Sequence, residues 1–255
     1  MKRMLLCLLT AALVANLTGC FRAHSTTDIN ADGSGVASLE FSLSQAVATA
    51  ITEMQELNPE AGGDMEMPSI ATIKRDKIEK AIKPFDVKLT AFESKTADGR
   101  ESVSMTFAFA DLKGLSAAMA AAMDQSPEEG MGIYETGDGN YVLKSATYDF
   151  SDYPEFDDEK PAEDVQTEAP AEQTPEQMQK QMAVMGTLMG AMAELDVSLK
   201  ITVPGDIIES NAPTQEGRTS IWTINSTNMM TAGPDMEPVI TFSGKGLKIK
   251  NALKQ

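Results

Sequence analysis

Apolar and polar residues alternate one for one in several short runs of this chain, and turn-forming residues separate the runs. Ala37, Leu39, Phe41 and Leu43 fall on one side of an extended segment, and Val36, Ser38, Glu40 and Ser42 on the other. A period of two is that of a half-buried strand. Residues 26–31 pair with it across Asp32-Gly33-Ser34-Gly35. Val87, Leu89 and Ala91 alternate with Lys88 and Thr90; after Ala97-Asp98-Gly99, Val103, Met105, Phe107 and Phe109 alternate with Ser and Thr. That is a hairpin signal. Residues 134–150 form a further hairpin turning at Gly137-Asp138-Gly139, and strands follow at 197–203, 207–210, 218–225, 239–242 and 247–249.

Helical spacing marks 45–57, 69–83, 112–123 and 177–194, with Pro84 stopping the second. The class is therefore α+β: a mainly antiparallel β-sheet of hairpins with packed helices. Asp86-Val87-Lys88-Leu89 before Asp98-Gly99-Arg100 is echoed by Asp196-Val197-Ser198-Leu199 before Glu216-Gly217-Arg218. The echo fits a duplicated helix–strand–strand unit or chance.

Ahead of this body stands a lipoprotein signal peptide, residues 1–19. Lys2 and Arg3 precede an apolar run from Met4 to about Ala15, and Leu17-Thr18-Gly19-Cys20 closes it. The run is too short for a membrane span, which needs ~20 apolar residues. A branched residue and small residues before a Cys fit a lipobox, with Cys20 as the lipidated N-terminus. Residues 20–25 read as a lipidated tether, 26–150 as the first part of the body and 177–255 as the second. Between them, 151–176 hold ten acidic residues, one Lys and four Pro, and read as a disordered insert. The anchor makes a membrane the first partner. Phe21 after the Cys, rather than Asp, implies the periplasmic face of the outer membrane if the cell has two membranes.

Composition narrows the chemistry. Removing Lys2 and Arg3 from a chain of net charge −17 leaves −19, a field that repels nucleic acid. Cys7 leaves with the signal and Cys20 takes lipid, so the body has no thiol for a disulfide, a metal or nucleophilic attack. The one His, His24, falls on the tether, where nothing orients it as a general base. The chain reads as non-enzymatic, with no catalytic residue, metal site or cofactor assigned. Asp28-x-Asn30-x-Asp32-Gly33 opens like a calcium loop, but its twelfth position is Leu39, so it reads as a β-turn. Lys245, Lys248, Lys250 and Lys254 give the tail a local basicity suited to anionic headgroups or to protecting a sheet edge.

Methionine is the unusual residue, with 17 in the chain. Met178, Met182, Met185, Met189 and Met192 step by 4, 3, 4 and 3, and so share one helix stripe, with Gly186 and Gly190 in the same stretch. Leu112, Leu115, Met119 and Met123 form a second face. Both stripes fit core packing. They also fit a deformable apolar groove for acyl chains, lined by Met119, Met123, Met182, Met185 and Met189.

The Cys20 lipobox, the Asp32-Gly33-Ser34-Gly35 hairpin and three later stretches together resemble the LppM-like family of bacterial lipoproteins. The stretches are Leu199-Lys200-Ile201-Thr202-Val203-Pro204-Gly205, Ile208-Glu209-Ser210-Asn211-Ala212 and Gly217-Arg218-Thr219-Ser220-Ile221-Trp222-Thr223-Ile224. The resemblance implies a small α+β envelope domain, one branch of which is associated with lipids or glycolipids, and it brings no catalytic residues. That branch fits a lipid or glycolipid ligand in the groove; the alternative is a structural or protein-interaction lipoprotein of the envelope, for which the resemblance identifies no protein partner. The pattern reads as strand, tight turn, short strand and returning strand, with Asn211 in a turn that tolerates positive φ and Trp222 over one end of the core. The acidic insert and the lack of an evident transmembrane helix after the domain depart from the family pattern.

Overall fold

The computed structural model describes residues 20–57, 70, 73–122, 129–148, 175–229 and 237–254. Among the described residues two sheets and four helices make an α+β fold. The larger sheet has seven strands in the order β3-β4-β2-β1-β7-β10-β9. Its members are β1 (Phe21–Ile29), β2 (Gly35–Ser44), β3 (Val87–Ala97), β4 (Arg100–Phe109), β7 (Leu195–Thr202), β9 (Thr214–Glu216) and β10 (Thr219–Asn225). The smaller has five in the order β12-β5-β6-β11-β8: β5 (Glu129–Glu135), β6 (Asn140–Thr147), β8 (Ile207–Ser210), β11 (Ile240–Ser243) and β12 (Leu253–Lys254). Pairing is antiparallel except for β1 with β7 and β12 with β5.

Alternation does what the sequence dictates. On β4, Val103, Met105, Phe107 and Phe109 are buried and their neighbours half-buried. The β3–β4 turn is two residues, Asp98 at φ 52° and Gly99 at φ 70°, the left-handed pair that matches the twist of a tight hairpin. Trp222 lies within the core at 1 % exposure, rather than over one end of it.

The helices are α1 (Gln45–Leu57), α2 (Arg75–Ile82), α3 (Leu112–Ala122) and α4 (Pro175–Met192). The helical pattern over 69–83 resolves into α2 and a 3₁₀ turn, Lys83–Phe85, that carries Pro84 in its first positions and ends on Asp86 at φ 50°. Pro84 thus tightens the helix end rather than preceding a loop. α4 begins at Pro175, inside the expected insert; proline suits a first helical turn, where its missing N–H costs nothing. The remaining part of the insert, 151–174, and the signal segment, 1–19, lie outside the described residues.

Three expectations need correction. Residues 21–25 are not a tether: β1 starts at Phe21 and pairs with β2 on one side and β7 on the other. Residues 247–249 form no strand; the tail pairs only at Leu253 and Lys254. Asn211 does not take positive φ. Its amide instead mimics a strand, donating to Glu237 O at 2.7 Å and accepting from Val239 N at 2.9 Å. The two echoed stretches occupy different places, β3 at a sheet edge and β7 inside, next to β1.

Candidate functional site

The larger sheet has two functionally different ends. At one, Cys20 O accepts from Ser44 N at 2.8 Å, so the backbone before β1 is pinned to the end of β2. α1 starts here, directly after β2, and α4 ends here, two residues before β7. Burial and the neighbouring Glu194 carboxylate push the Cys20 thiol above its ordinary range. Nothing separates Cys20 from the folded body.

His24 is likewise fixed, not loose. It sits on β1 with Nε2 3.3 Å from Asp196 Oδ2. The sequence missed this orienting carboxylate because the β1–β7 pairing joins distant segments. The imidazole lies on the sheet's polar face, flanked in register by Glu40 and Ser198.

At the other end lies a cleft of about 550 Å³, roughly 30 Å from Cys20 along the nine residues of β1 at ~3.3 Å each. Its walls come from the β1–β2 turn (Asp32, Gly33), the start of α3 (Asp111, Leu112, Lys113), β5 (Ile133), Tyr148 and the tail (Ile249, Lys250, Asn251, Leu253). Asp111 caps α3 by accepting from Gly114 N at 2.7 Å, and its other oxygen accepts from Asn251 Nδ2 at 2.7 Å. Tyr148 donates to Met131 O at 2.8 Å, and burial pushes its phenol far above the usual range. The cleft thus offers apolar walls with polar groups at fixed places. Sequence reading missed it because its residues come from five separated segments, none with a motif of its own.

The tail is clasped onto the first hairpin. Lys248 N donates to Ala31 O and Lys250 N to Asp32 O, each at 3.1 Å, and Lys250 Nζ lies 3.1 Å from Asp32 Oδ2. Asp32 also accepts from Ser34 N and Oγ, the closed turn expected of Asp32-Gly33-Ser34-Gly35. Lys248 and Lys250 therefore lie at the end of the sheet remote from Cys20. Ser34 and then Lys250 hold the Asp32 carboxyl down to about 2. A lowered carboxyl stabilises the fold fully above its unfolded value, ~3.9, and that stability is lost as pH falls through the folded value. Protection of the Lys248 and Lys250 amides against hydrogen exchange is therefore expected to fall between about pH 4 and 2. In Asp32→Asn these amides should already be less protected at neutral pH and show no acid step in that window; an unchanged profile would refute the clasp.

The methionines are placed otherwise than expected. Met178, Met182, Met185, Met189 and Met192 are 51, 64, 50, 69 and 49 % exposed, neither core nor the wall of an enclosed groove. α4 buries the adjacent line instead: Val184 and Ala191 are buried and Leu188 partly so. α4 packs mainly on α1, leaving a shallow recess of about 410 Å³ between Thr49, Glu53, Ala183 and Thr187. Met119, on α3, packs against the main core, and α3 rests on α2 and β5. Met119 is therefore in a different part of the molecule from the α4 stripe, and Met123 lies outside the described residues. Among the described residues nothing lies within 4 Å of where a Cβ would stand on Gly186 or Gly190, so none of their backbone approaches these glycines closely. Among the described residues no helix is long and apolar enough to cross a membrane.

No protein-family profile matches the chain, and no curated protein does. Among solved structures it is similar to the folded domain of Mycobacterium tuberculosis LppM, determined by NMR, with a TM-score of 0.40 and 9 % identity over 88 % of this chain and 89 % of that one. At that identity and TM-score the likeness carries no argument about family or function.

Proposed function

We propose that this chain is a cell-envelope lipoprotein anchored through Cys20, and that its body is a non-enzymatic binding domain for a lipid or glycolipid. The observation that carries this reading is the separation of two ends along β1: a lipobox cysteine at one and a ligand-sized cleft at the other. Pockets for small ligands run about 300–1,000 Å³, apolar with a few placed polar groups. Leu112, Ile133, Ile249 and Leu253 beside Asp32, Lys113 and Asn251 suit an amphiphile better than a sugar or an alkyl chain alone. The two carboxylates in the cleft speak for binding rather than hydrolysis. Asp32 is engaged by Ser34 and Lys250, and Asp111 by Gly114 and Asn251, so neither is poised to move a proton.

Native mass spectrometry of the Cys20→Ser chain, purified under mild conditions from a bacterial host, tests the ligand. A bound species of lipid mass, or uptake of added envelope phospholipid, is expected. Leu253→Trp, which fills the cleft, should abolish it without lowering the melting temperature. A clean mass with no uptake would sink the lipid reading. It would leave a protein-interaction lipoprotein in front.

A further inference from the structure

We infer that the methionine stripe of α4 is a membrane-contact surface, which lays the Cys20 end of the domain onto the bilayer; this rests on the anchor proposed above. With β1 starting at Phe21 and Cys20 O held by Ser44, no spacer lets the body stand away from its acyl chains. Whatever surrounds Cys20 meets the headgroups. α4 ends at Met192, and Glu194, two residues on, lies against Cys20. The stripe therefore runs up to the anchor itself.

The surface of α4 fits that neighbour. Residues 181–192 carry no charge, in a chain with 38 acidic and 21 basic residues. Five half-exposed thioethers along one line make an apolar strip of the kind that a surface-lying helix sinks to the acyl boundary. Gly186 and Gly190 each weaken a helix relative to alanine. Among the described residues no neighbour lies near either of them, so no packing described within the fold offsets this. α4 also packs mainly on α1 rather than on the sheet, with Val184 and Ala50 buried in that pair, so among the described residues its methionine side is uncovered. The acidity of the body, with Lys180 the one basic residue of α4, selects zwitterionic over anionic lipid.

The mature lipidated chain in phosphatidylcholine vesicles tests this. Its acylated Cys20 leaves an introduced cysteine as the single thiol for a fluorophore. Label at Met185→Cys should be quenched by spin-labelled phosphatidylcholine. Label at Lys248→Cys, at the far end, should not. In the unlipidated Cys20→Ser chain, vesicle affinity should fall on the order of tenfold or more when Met182, Met185 and Met189 are all changed to Gln, since burying one such side chain is worth about that factor. If the lipidated chain floats with vesicles but the Met185→Cys label stays in water, the stripe proposal is wrong and the anchor stands. A chain that does not float overturns both. Shielding that appears only in native membranes, and not in protein-free vesicles, assigns the stripe to a protein partner and overturns the membrane contact.

Discussion

Replacing Gly35 by alanine is expected to destabilise the fold by about 3 kcal/mol, at the upper end of overpacking costs. Gly35 opens β2, in register with Ile29 on β1 and Phe109 on β4. A Cβ built there would stand 2.2 Å from Asp28 O and 2.5 Å from Phe109 Cζ. The first clash is with backbone. Asp28 belongs to β1, which is held between β2 and β7, so its carbonyl cannot step aside without opening a ladder on each side. The second is with a ring in the buried core. Since a domain of this size has about 5–15 kcal/mol in all, the variant should melt well below the parent. Gly137→Ala is the control: nothing lies within 4 Å of its Cβ position, and a change within about 0.5 kcal/mol is expected. Urea unfolding followed by circular dichroism reads both, and equal midpoints for Gly35→Ala and the parent would refute the packing argument.

The second large effect is at Trp222, and its size should depend on the replacement. Trp222 is 1 % exposed on β10, opposite Leu199 of β7. Trp222→Ala removes a fully buried ring, for which about 3–5 kcal/mol is usual. Yet its indole N–H has no acceptor among the described residues, and a buried donor left unsatisfied costs about 1–3 kcal/mol. Trp222→Phe sheds that donor and keeps an aromatic ring. Its loss should therefore be far smaller than that of Trp222→Ala, with relief of the orphan donor offsetting the lost volume. Because this is the one tryptophan, circular dichroism rather than intrinsic fluorescence must follow unfolding. A Phe variant as unstable as the Ala variant would show that the indole is satisfied in solution.

What the sequence could and could not announce follows from which interactions are local. The β3–β4 hairpin is written in Val103, Met105, Phe107 and Phe109 and in Asp98-Gly99, all within reach of one another along the chain. α1 was legible to the residue. The first half of β1 was not, because Arg22, Ala23, His24 and Ser25 show no apolar alternation; the strand exists because β2 and β7 bracket it. The methionine stripe failed for a different reason. Two lines on α4 share the helical period, Met182–Met185–Met189 and Val184–Leu188–Ala191, and periodicity reports that an apolar line exists without saying which one is covered. The cleft was invisible, being assembled only when the tail returns to Asp32 and Asp111.

The double-sided pairing of β1 also decides how the domain would carry a mechanical load. If Cys20 is fixed in a membrane and something in the remote cleft pulls, force travels along the strand axis. The ladders to β2 and β7 lie across that direction, so their bonds share the load and must slide together rather than peel one at a time. With no linker to absorb extension first, tension from the envelope would reach the middle of the sheet directly, through a strand paired on both sides.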